Sequence, residues 1–71
     1  MKSTPIHTNH VGDCKVSTVF IEPWRYYETA ILRKGQAVEV RESGIISADD
    51  ALIAHEKAVE LAEKALRYRE R

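Results

Sequence analysis

From Ala48 to about Arg69 no glycine or proline interrupts the chain, while all three glycines and both prolines fall before it. That segment predicts one long helix. Ser47-Ala48-Asp49-Asp50 supplies its start: the Ser47 hydroxyl caps an amide three residues on, and two acids suit the positive end of the helix dipole. Ile46 and Ala51 are placed for a hydrophobic staple. Apolar residues recur at Ala48, Ala51, Leu52, Ala58, Val59, Ala62, Ala65 and Leu66, the period of a single buried stripe. The pairs Glu60–Lys64 and Glu63–Arg67 fall at i,i+4 on the wet side, and Arg67, Arg69 and Arg71 suit the carboxyl end. A one-stripe helix cannot bury itself, so the preceding residues must build the layer it lies on. With 71 residues in all, only one small core is available, and the chain reads as a single domain over 1–71 with flexibility expected at about residues 1–5.

The preceding residues read as strands. VSTVFI from Val16 to Ile21 is β-branched and aromatic, and YYETAILR from Tyr26 to Arg33 follows a turn at Pro23-Trp24. Lys34-Gly35 marks a tight hairpin into AVEVRE, Ala37 to Glu42, with Gly44 ending the strands. Gly12-Asp13 signals a II′ turn after a short first strand, Ile6 to Val11. The predicted fold is α+β: an antiparallel meander of three or four strands with one C-terminal helix on one face.

Loop length sets register. A two-residue loop at Pro23-Trp24 places Phe20 opposite Tyr27, Thr18 opposite Thr29 and Val16 opposite Ile31. The Lys34-Gly35 turn places Ile31 opposite Val38, Thr29 opposite Val40 and Glu28 opposite Arg41 as an ion pair. The layer expected under the helix is therefore Val11, Cys14, Val16, Thr18, Phe20, Tyr27, Thr29, Ile31, Val38 and Val40. The opposite face then shows Val19, Ile21, Tyr26, Ala30 and Leu32 among Lys15, Glu28, Glu39 and Arg41, too much clustered apolar surface for ordinary exposure. A second copy of the chain is the simplest cover, since a two-fold contact needs one self-complementary patch. Homodimerisation through Val19, Ile21, Trp24, Tyr26 and Leu32 is the expected interaction.

Charge excludes some partners. Lys plus Arg number 11 and Asp plus Glu number 11, so no net field draws the chain to nucleic acid or an anionic membrane. Trp24-Arg25 and Arg33-Lys34 interleave rings and cations as single-strand binders do, the alternative reading as a nucleic-acid-binding accessory protein. No stretch approaches a membrane span, the N-terminus lacks a signal-peptide core, and the single Cys14 suits a reducing cytoplasm.

His55 is the most unusual position. It sits mid-stripe, where an apolar residue is the default, and a buried imidazole needs a partner such as Thr18, Thr29 or Tyr27. A second alternative is a small enzyme or metal protein around His55 and Cys14. His7, His10, Cys14 and His55 match no zinc spacing, and the Gly12-Asp13 hairpin puts His10 on the face opposite His7 and Cys14. No strained nucleophile elbow or phosphate loop marks a catalytic centre, so no catalytic, cofactor or metal residue is assigned.

VSTVFI at Val16, YETAIL at Tyr27 and SADDALIAHEKAV from Ser47 resemble an uncharacterised family of small phage-encoded and bacterial proteins. Its members look like VSTVFLG, then FETMVF, then a T/S-W-E-E-A-x-x-G-H helix start. Val16 to Phe20, Glu28, Thr29, Ala51 and His55 occupy matching positions over about two-thirds of the chain. The family's Gly/Pro-rich segment is shortened here to EPWR, and Ala54 replaces the glycine before His55. The resemblance implies a β-meander followed by a helix, and carries no established activity, substrate or cofactor.

Overall fold

A computed structural model of the protein describes residues 2–69, without the Arg69 side chain. Four strands precede one helix: β1 (Lys2–Val11), β2 (Cys14–Glu22), β3 (Tyr26–Arg33), β4 (Gln36–Ile45) and α1 (Ala48–Arg69). The strands form one open antiparallel sheet in sequential order, and α1 lies across one face. The α+β meander expected from the sequence is the observed fold. No helix among the described residues is long and apolar enough to cross a membrane.

The first two turns give the register expected from the sequence. Val11 pairs with Cys14 around Gly12, whose φ of +60° suits the first position of a II′ turn. Gly12 also leaves room for Leu66, whose Cδ1 would lie 2.8 Å from a Cβ at that position. Across the next turn Phe20 pairs with Tyr27, Thr18 with Thr29 and Val16 with Ile31. There the Glu22–Pro23 peptide is cis, and the Arg25 amide donates to the Ile21 carbonyl at 2.7 Å. β1 begins at Lys2 rather than near Ile6, and one irregularity between Pro5 and His7 absorbs Ile6.

The β3–β4 pairing differs from expectation. The Lys34-Gly35 turn forms, with both residues at positive φ as a I′ turn requires, and Arg33 pairs with Gln36. Register shifts then follow between Ile31 and Leu32, Thr29 and Ala30, and Tyr27 and Glu28. Each extra residue in a β4 bulge changes which side chains face the helix. Ile31 pairs with Glu39 instead of Val38, Thr29 with Glu42 instead of Val40, and Val40 moves to the outer face opposite Ala30. Val38 and Val40 are therefore not core; they are 60% and 52% exposed. The expected Glu28–Arg41 pair is replaced by Arg41–Glu39 within β4, and Glu28 accepts a hydrogen bond from Ser43 at 3.2 Å. Gly44 does not end the strand. It sits at φ +79° between two paired residues and carries β4 on to Ile45, the geometry of a glycine bulge.

The helix begins as its sequence signals, with the Asp50 amide donating to Ser47 Oγ at 3.4 Å. Ile46 is 85% exposed, so no staple to Ala51 forms. Ala51, Ala54, Ala58 and Ala62 make the buried stripe; Ala48, Leu52 and Ala65 fall outside it, exposed. Short alanines let the helix backbone settle close to the sheet. Val11, Val16 and Ile31 pack against Ala58 and Ala62, flanked by Cys14, Val59, Leu61 and Leu66. Arg71 and the Arg69 side chain lie outside what the structure describes.

Candidate functional site

The site that the fold builds is polar and lies beneath the first half of α1. Thr18 and Thr29 are directly opposite on the central strands, and their hydroxyl oxygens are 2.7 Å apart. His55 reaches down from the alanine stripe and places Nδ1 2.8 Å from Thr18 Oγ1. Its Nε2 lies 2.7 Å from Asn9 Oδ1 on β1. His7, two residues along the same strand and paired with Thr18, brings its ring to 5.4 Å from that of His55, centroid to centroid.

Chemistry assigns the protons. An amide oxygen can only accept, so Nε2–H donates to Asn9 and Nδ1 of the neutral ring accepts from the Thr18 hydroxyl. Thr18 Oγ1 then accepts from Thr29, and the chain runs Thr29 to Thr18 to His55 to Asn9. Among the described residues no buried side-chain nitrogen or oxygen lacks a partner. Burial pushes the His55 pKa below the ordinary imidazole value; His7 acts in the same direction and Glu56 against it.

A hydroxyl, an imidazole and an amide in that order match the relation of nucleophile, base and orienting group. Thr18 has no exposed surface, however, and a reagent reaches its oxygen only if α1 lifts. As it stands the network joins the helix to β1, β2 and β3 and specifies how they seat on one another.

His55 therefore finds Thr18 directly and Thr29 through it. Tyr27 instead packs against Phe20, ring centroids 5.0 Å apart. Asn9 and the approach of His7 complete the site. Asn9 was legible only through alternation, since it lies two residues from Val11 on the helix side of β1. Cys14 is not brought to His55: it lies four residues from Thr18 along β2, about 13 Å at strand spacing. Cys14 borders an apolar groove with Ile31, Val38, Leu61 and Ala65 instead. No cluster of three or more metal-ligating side chains occurs among the described residues. Trp24 and Arg25 lie at one end of β3 and Arg33 and Lys34 at the other, with Arg33 Nε donating to Asp13 at 2.8 Å.

The register puts Val19, Ile21, Tyr26 and Leu32 on the outer face, as expected, with Leu32 beside Lys15 and Ala37 at the far end from the Ile21–Tyr26 pair, and adds Val40; Glu39 instead faces the helix side. Val19, Tyr26 and Leu32 are half-buried and Trp24 is 67% exposed. Ile21 is buried, so it supports the patch more than it presents surface. Comparison of the chain with protein-family models, with curated proteins and with solved structures finds no match.

Proposed function

We propose that this chain is a small non-enzymatic interaction or assembly protein that forms a homodimer through the outer face of its sheet. The observation that carries the reading is the apolar set Val19, Tyr26, Leu32 and Val40 on the face opposite α1, with Trp24 exposed at its end. No element of the described chain lies over that face. Both sheet edges are poor alternatives. β1 carries Lys2, Pro5 and an irregularity, and β4 is charged and three times bulged, devices that discourage strand addition. The molecule measures 43 × 23 × 14 Å, and a helix on a sheet stacks along the thin direction. Its broad side is large enough for the about 800 Å² per partner of a standard interface.

The cytoplasm is the setting that the single Cys14 favours, and a phage or prophage origin is what the sequence resemblance suggests. Sedimentation equilibrium over a wide concentration range tests the dimer. Twice the 8.1 kDa chain mass is expected, reverting to the monomer in Leu32→Glu with the far-ultraviolet circular dichroism unchanged. A clean monomer at high concentration would refute the proposal. Titration with a labelled single-stranded oligonucleotide at two salt concentrations is expected to show no salt-dependent binding.

A further inference from the structure

We propose that His55 is a proton-operated latch: its neutral ring ties α1 to the sheet, and protonation releases the helix from β1 and β2. This is independent of the dimer, since it concerns the opposite face. The argument rests on the direction of the hydrogen bonds. Nδ1 can accept from Thr18 only while it carries no proton. A proton there makes Nδ1 a donor, so Thr18 must turn its own hydrogen toward Thr29. Thr29 Oγ1 then must accept and send its hydrogen elsewhere, in a site where both threonines have no exposed surface. The new charge would also lie beside the His7 ring.

The surrounding groups do little to receive it. β1 presents His7, whose ring lies beside that of His55 and acts against a proton there. β2 presents only the Thr18 hydroxyl at this level, and β3 brings Tyr27 to the same face. From β4, Glu42 pairs with Thr29 on the helix side but is exposed, and on α1 Glu56 is exposed next to His55. Glu56 favours the proton, while burial and His7 oppose it and prevail. Because the fold prefers the neutral ring, the unfolded or opened chain takes up the proton first, from its ordinary value of 6.5. Stability is therefore full above that pH and falls as pH drops through it, until the folded imidazole also titrates. Carboxylates titrate near 4, so the range from pH 7 to 5.5 isolates the histidines.

The test compares thermal unfolding of the full chain at pH 7.0 and 5.5, with amide hydrogen exchange at both values corrected for intrinsic rates. The wild type should lose about 4 °C or more in melting temperature at pH 5.5, with protection falling in α1 before β2 and β3. His55→Gln keeps a donor and an acceptor but does not titrate, and should lose most of that drop; His7→Gln should lose a smaller part. Equal melting temperatures at the two pH values in the wild type, or protection lost uniformly across helix and strands, would overturn the latch. So would a His55→Gln chain that keeps the full drop. The wild-type measurements decide the matter even if His55→Gln does not fold.

Discussion

The helix meets the sheet in two halves that work by different physics. Toward the Gly12 turn the contact is dry: Val11, Val16 and Ile31 against Ala58, Ala62 and Leu66. Toward the start of α1 it is polar: Thr18, Thr29, His55 and Asn9, with His7 alongside. Apolar burial is strong but non-directional, so the dry half holds the helix down without fixing where along the sheet it sits. An alanine stripe is especially uniform, offering similar contact at several shifts. The polar half has one geometry that satisfies every group, and a displaced helix leaves buried hydroxyls unpaired, a penalty of about 1–3 kcal/mol for each group. In this molecule adhesion and registration are divided between the two ends of one interface.

Substitutions can separate the two roles. Ile31→Ala removes a core side chain from the dry half and is expected to cost about 3 kcal/mol in chemical denaturation, with the seating of the helix unchanged. His55→Ala leaves the buried Thr18 hydroxyl without its acceptor, and should cost about 2 kcal/mol. The triple change Thr18→Val, Thr29→Val and His55→Leu removes the polar half altogether. It should be much less damaging than His55→Ala, because matched apolar replacement leaves no orphaned group. If registration is indeed the polar half's role, the triple variant will instead show broadened or doubled amide resonances in α1. Gly12→Ala puts a side chain at positive φ and against Leu66, for a loss of about 1–2 kcal/mol. Val40→Glu lies on neither half, and should change monomer stability by less than about 0.5 kcal/mol while weakening the dimer.

Most of the fold was readable because its signals are local. Gly12-Asp13 sets the first hairpin by loop length, the register expected across Pro23-Trp24 forms although the turn there takes in Arg25 at positive φ, and Ser47 with the acids after it marks the start of α1. From that register the central pair Thr18–Thr29 and the outward Val19, Tyr26 and Leu32 follow. The same reasoning failed on β4, although its turn was identified correctly. A bulge changes the side-chain phase at a cost spread over twist, packing and solvation, and in AVEVRESG only Gly44 marks an extra residue, while nothing marks the other two. Val38 and Val40 looked like core because alternation counted from the turn made them so. The site was partly legible: an imidazole in an apolar stripe requires a partner, and threonines were the available ones. Asn9 was not singled out, since an asparagine on an edge strand is ordinary until something faces it.

The sequence by itself determined the kind and order of the elements, the turns that join the first three strands, and the need for His55 to be satisfied. Those depend on backbone preferences and short loops, which act between residues close in the chain. Only the tertiary structure decided where β4 slips, which acceptor completes the imidazole, and that Val40 turns outward while Ile21 is sealed. Such outcomes turn on differences of a few kcal/mol or less between packings of distant segments. No local pattern records which of them is lowest.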